Sequence, residues 1–241
     1  MEKIIGLNLK MNLDYQEATE YVTKVKGKLG KKHEIIFFPS YLYLDLFKQT
    51  GYKVGAQNSS PIDRGSYTGE VSPLQLKSSG VNYVILGHSE RRTKFQEDDK
   101  LINFKIRGCL KNKLKIILCI GETDIDRRMN RTALSLEHQL IMALNNIKEA
   151  DYKNIVIAYE PYWAIGSGIT PTCSDIEEVI RYIDKTCLKE LNTKLPVLYG
   201  GSVKKENIQD ILNVPEIGGV LVGTSCIDYK YLIEMMKLIN V

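Results

Sequence analysis

The chain's 241 residues, 44% of them hydrophobic, can bury one large core, and a single domain over residues 1–241 is expected. The net charge of +4 comes from 33 basic and 29 acidic residues spread along the chain, with no basic block to neutralise a nucleic-acid backbone, so a small anionic substrate fits better than a polyanion. No apolar run approaches the ~20 residues of a bilayer span, and the opening MEKIIGLNLK lacks the apolar core of a signal peptide; no membrane partner is expected and the location is read as cytoplasmic.

Eight β-rich runs recur along the chain: 4–9, 34–38, 52–57, 82–87, 115–120, 154–159, 196–200 and 218–223. Most are apolar on both faces, as parallel strands covered by helices must be. Helical patterns lie between them at 15–29, 97–112, 132–149, 175–191 and 204–212, with start signals at Asp14, at Thr132, at Ser174 before Asp175, and at Ser202 ahead of KKENI. This βα alternation without a linker or low-complexity tract predicts a closed (β/α)8 barrel, with an open doubly wound sheet as the alternative. No G-x-G-x-x-G follows the first strand, which removes the usual dinucleotide signal. Cys109, Cys119, Cys173, Cys187 and Cys226 are odd in number and never in C-x-x-C spacing, so they read as reduced thiols, mostly in the core, with neither a disulfide framework nor a zinc site.

In a barrel of this kind reacting groups gather where strands end. Those positions hold Asn8 and Lys10, Gln57 and Asn58, His88, Glu160, Gly200-Gly201-Ser202, and Gly223-Thr224. Glu160 precedes Pro161, which biases it to an extended backbone and aims its carboxylate over the mouth; shielding by Trp163 and Ile165 would make it more basic, as removal of a proton from carbon requires. The competing reading is a surface acid paired with a Lys or Arg. His88, in GHSERR, stands where a helix can begin, a setting that disfavours the imidazolium and leaves a neutral hydrogen-bond donor; a purely structural histidine is the alternative. His33 and His138 lack that setting and read as solvated. Lys10, a surface amine if taken alone, would stabilise the oxyanion formed when a carbon acid beside a carbonyl loses its proton. Gly166, Gly168 and the glycines at residues 200, 201 and 223 offer amides that could approach a phosphate, although turns alone would also explain them.

Taken together, GLNLKMN, AQN, SYTGE, ILGHSERR, CIGET, YEPYWAIGSG, YGGSV and LVG, in this order and at these strand ends, closely resemble the triosephosphate isomerase family, over essentially the whole chain. The resemblance implies the TIM barrel and an isomerase interconverting dihydroxyacetone phosphate and D-glyceraldehyde 3-phosphate, with no metal and no cofactor. By that likeness Glu160 is the base, His88 the neutral electrophile, and Lys10 and Asn8 hold the substrate. The phosphate would lie on the amides of Gly166, Ser202, Gly223 and Thr224, with Cys119 and Glu90 in support. Thr68, Gly69 and Glu70 would belong to a loop that plugs into a second copy, implying a homodimer. The segment from Pro161 to about Thr172 would be a lid that excludes water and presses Ile165 and Leu221 against Glu160.

Four positions depart from the family's pattern: Leu9 replaces a tryptophan, Ile169 and Pro171 stand in the far end of the lid, and Thr224 replaces a glycine. A β-branched residue is unfavourable at positive φ, so Thr224 is expected at negative φ. A non-catalytic phosphosugar-binding barrel and an aldolase-like barrel enzyme are the competing functions. Retention of Lys10, His88 and Glu160 together argues against the first, and the second would want a Schiff-base lysine on a central strand or a metal cluster.

Overall fold

The computed structural model describes residues 2–164 and 170–240. Every strand is followed by one or two helices: β1 (Ile4–Asn8), α1 (Tyr15–Val25), β2 (Glu34–Phe38), α2 (Leu44–Lys48), β3 (Lys53–Ala56), α3 (Pro73–Ser78), β4 (Tyr83–Leu86), α4 (Ser89–Lys94) and α5 (Asp99–Lys111). Then come β5 (Lys115–Ile120), α6 (Asp124–Arg128), α7 (Thr132–Ala143), β6 (Ile155–Tyr159), α8 (Cys173–Leu191), β7 (Val197–Tyr199), α9 (Ile208–Leu212), β8 (Ile217–Val222) and α10 (Tyr229–Ile239). Every strand pairs in parallel with the next, and β8 returns to β1 with Ile4 opposite Gly219, so the sheet is a closed (β/α)8 barrel and not the open alternative.

Strand side chains alternate between two cores. Ile36, Phe38, Tyr83, Ile85, Ile117, Cys119, Val156, Ala158, Leu198 and Leu221 fill the barrel interior. Their neighbours, such as Ile35, Phe37, Val84, Ile116 and Ile157, face the helices in the larger outer core. This explains runs that are apolar at every position. The same period of two carries past the strand ends: Gly6 leads to an inward Asn8, and Val156 and Ala158 lead to an inward Glu160.

Helix starts were less legible than strands. Asp14 caps α1 with a capping box to Glu17, as expected. Thr132 opens α7, but the cap position is Arg131, which makes no side-chain cap bond. The cap of α8 is Thr172 and not Ser174, because Asp175 sits at the third helical position and can return a bond to Thr172. Ser202 caps nothing; α9 begins only at Ile208, after Asn207 has turned its side chain onto the Lys204 amide. Cys109, Cys119, Cys187 and Cys226 are buried free thiols, whereas Cys173 is exposed. His138 is exposed as expected, but His33 is not simply solvated: Nδ1 accepts from the Lys3 amide at 3.3 Å and Nε2 lies 3.1 Å from the Ile239 carbonyl, joining β1 to α10. Among the described residues no helix is long and apolar enough to cross a membrane.

Candidate active site

Asn8, Lys10, His88, Glu160, Ser202, Gly223 and Thr224 all line one cavity of about 310 Å³ at the C-terminal ends of the strands. Gly166, with Ile165, Gly168 and Ile169, lies outside the described residues.

His88 is placed by a reversal at Gly87, whose φ of 73° a side chain rarely adopts. It caps α4, and its Nδ1 accepts the Glu90 amide at 3.2 Å. That bond occupies the Nδ1 lone pair, so the ring carries its proton on Nε2 and presents it to the cavity. Nε2 meets Glu160 Oε1 at 3.1 Å, while Glu160 Oε2 accepts the Ser89 amide at 2.7 Å. Glu160 and His88 are thus engaged with each other at the mouth, the carboxylate only 1% exposed. The shielding expected from Trp163 is not found, and that expected from Ile165 lies outside the described residues. Trp163 is occupied elsewhere, donating from Nε1 to Glu122 at 2.8 Å and stacking under Arg127, while Gly200 packs on the Glu160 side chain and Ala164 and Leu221 line the same cavity. Glycine at residue 200 is required by close approach: a Cβ there would stand 2.9 Å from Glu160 Cγ.

Lys10 holds a left-handed backbone, φ 54°, which costs a non-glycine residue energy and persists only where its surroundings impose it. The Asn8 side chain accepts the Lys10 amide at 3.1 Å, and Gln57 Nε2 donates to the Lys10 carbonyl at 2.7 Å and to that of Phe38 at 2.8 Å. Gln57 therefore supports the site from behind. Asn58 does not: its side chain is turned into a buried group with Lys105 and Glu97. Lys10 Nζ bonds Glu90 Oε1 at 2.8 Å. Partial burial alone would raise the Glu90 carboxyl, but the Lys10 ammonium overrides it and holds the acid below its ordinary value. One glutamate thereby orients both the amine, through its side chain, and the imidazole, through its backbone.

Burial, reinforced by the Glu160 carboxylate, pushes the Cys119 thiol well above its ordinary value and keeps it neutral. Thr224 opens a 3-10 turn after Gly223 and has no positive φ, as expected. Lys204 and Ser225 also line the cavity and were not singled out from sequence; Ser225 Oγ donates to the Val203 carbonyl at 2.6 Å, tying the loop after β8 to the loop after β7. A serine directly after Gly223-Thr224 was the available signal.

The geometry agrees with comparisons to known proteins. The family model described as triosephosphate isomerase matches residues 3–239. Proteins named triosephosphate isomerase from Natranaerobius thermophilus (42% identical, covering 91% of this chain and 89% of the relative) and Thermodesulfovibrio yellowstonii (41%, covering 98% and 99%) are similar throughout. One of the same name from Coprinopsis cinerea is 40% identical over 91% of each chain. With a closed eightfold barrel, an inward Glu160 facing His88 Nε2, and a family match from one end of the barrel to the other, this chain belongs to the triosephosphate isomerase family.

Proposed function

We propose that the protein interconverts dihydroxyacetone phosphate and D-glyceraldehyde 3-phosphate, with Glu160 as base, His88 as electrophile, and Lys10 and Asn8 holding the substrate. The observation that carries the reading is the facing pair of Glu160 Oε1 and His88 Nε2 at 3.1 Å, with Nδ1 already committed to the Glu90 amide. Substrate entry exchanges that contact: the ketone oxygen accepts the hydrogen bond from Nε2–H, and the released carboxylate turns to the C1 hydrogen. Glu160 removes that proton and the electron pair moves into the C2 carbonyl, whose oxygen becomes anionic against His88 and the Lys10 ammonium. Return of the proton to C2, with the O1 hydroxyl proton passing to O2, gives the aldehyde and regenerates the enzyme. The phosphate sits in the loops after β7 and β8, on Ser202, Gly223 and Thr224, the last of which opens a short 3-10 turn.

A homodimer fits the surface of the same face. Met11 (94% exposed), Leu42 (84%), Tyr67 and Phe95 are large apolar side chains on the successive loops after β1, β2, β3 and β4, and Thr68 is exposed beside Tyr67. A cytoplasmic location accompanies this reading. The test is turnover of glyceraldehyde 3-phosphate in a coupled assay: Glu160→Gln should lose at least the roughly 10²–10⁴-fold of a positioned base. Near-native turnover by that variant would refute the role, and an inactive wild type that still binds phosphate would favour a binding barrel.

A further inference from the structure

The chain segments on either side of residues 165–169 are held from a single side chain. Arg127, in the last turn of α6, lays its guanidinium over the Trp163 ring, 4.1 Å from the centroid, and Nη2 donates to Asp175 Oδ1 at 2.9 Å. Trp163 lies three residues past Glu160, whereas Asp175 lies in the first turn of α8. The other Asp175 oxygen already fixes the incoming stem, accepting from Thr172 N at 2.8 Å and Thr172 Oγ1 at 2.6 Å. On the outgoing stem, Glu122 Oε1 accepts from Trp163 Nε1 at 2.8 Å and stands 3.7 Å from Arg127 Nη1. The link from Trp163 back to Glu160 is short and stiff: Ala164 N closes a turn onto the Pro161 carbonyl at 2.9 Å, and Tyr162 N bonds the Glu122 carbonyl at 3.2 Å. A shift of the indole is therefore passed to the backbone that carries the carboxylate.

We propose that Arg127 is a positioning residue for Glu160, clamping the outgoing stem at Trp163 to the incoming stem at Asp175 and so setting where the base stands. A planar guanidinium can stack its face on an indole and donate from its edge to a carboxylate at the same time; an ammonium has to choose. The inference rests on the reading of Glu160 as the base. It goes beyond that reading by giving a task to a group outside the cavity.

The chain's only tryptophan is Trp163, so its fluorescence reports this clamp independently of catalysis. In Arg127→Gln, kcat should fall roughly 10- to 100-fold, the cost of moving a reacting group by about an ångström. Inhibition by inorganic phosphate should stay within about twofold, because the loops after β7 and β8 are untouched. Iodide should quench Trp163 more strongly, Arg127→Lys should recover part of kcat, and Arg127→Gln combined with Asp175→Asn should lose less than the sum of the two. Wild-type kcat in Arg127→Gln, or a lowered kcat with unchanged quenching, would overturn the proposal. A wild type without turnover defeats the assignment of Glu160 and this proposal with it, whereas an active wild type with an unimpaired Arg127→Gln defeats this proposal alone.

Discussion

Gly200→Ala tests whether the Glu160 side chain, the proposed base, is held to a fraction of an ångström. The new methyl carbon would lie 2.9 Å from Glu160 Cγ and 3.3 Å from the Tyr159 carbonyl oxygen. Ordinary carbon contacts lie at about 3.5–4.0 Å, so something must yield by roughly 0.6–1.1 Å. The backbone at residue 200 resists, since its amide donates to Tyr159 O at 2.8 Å, and Glu160 is the freer partner. Overpacking of this kind costs about 1–3 kcal/mol of stability. Displacing the base should lower kcat roughly 10- to 100-fold, which is about 1.4–2.7 kcal/mol of transition-state stabilisation. The assays are steady-state turnover and urea denaturation, the latter repeated in a Glu160→Ala background that has no Cγ to strike. There the stability cost of the alanine should shrink to what the Tyr159 contact alone exacts. Unchanged turnover in Gly200→Ala, or an equal stability loss with and without the Glu160 side chain, would refute the steric reasoning.

Tyr162→Phe should be neutral or stabilise by up to about 1 kcal/mol in urea denaturation, because its buried hydroxyl has no hydrogen-bond partner to lose. Burial, with the Lys32 charge adding to it, lowers His33 from its ordinary 6.5 despite the opposing Ile239 carbonyl. The neutral ring's contribution is therefore present above about pH 6.5 and lost as pH falls through the lowered native value. His33 is only partly buried, so after solvent screening that loss should be about 0.5 kcal/mol or less, seen by denaturation at two pH values and absent in His33→Gln. Glu90, held below its ordinary 4.5, contributes stability above that pH which is lost in stronger acid. After solvent screening, Glu90→Gln should cost about 0.5–1 kcal/mol at neutral pH and nothing once the native carboxyl is protonated.

Residues whose surroundings are dictated by period were readable from sequence. Parallel strands in a closed barrel are buried on both faces, so runs such as IVIAY stand out, and alternation carries the reading from Ala158 to an inward Glu160. His88 was readable from Gly87 and the helix start beside it. Partners distant in the chain leave no such mark. Asn58 turns away from the mouth because Lys105 comes to it from α5, 47 residues on, and His33 is claimed by a carbonyl 206 residues away. Trp163 looked like a shield for Glu160 only because nothing local shows that Glu122 and Arg127 compete for it. Helix caps failed for a milder reason: TPTCSD offers several hydroxyls, and the choice of Thr172 over Ser174 depends on where Asp175 falls in the first turn.

Barrel closure has a price during synthesis. Ile4 pairs with Gly219, so the first strand to leave the ribosome must wait for nearly the whole remaining chain before its second neighbour exists. At typical elongation rates that is about 10–40 s. Throughout that interval the nascent sheet carries a raw edge, and the earliest segments of the polypeptide are the ones most in need of chaperone shelter.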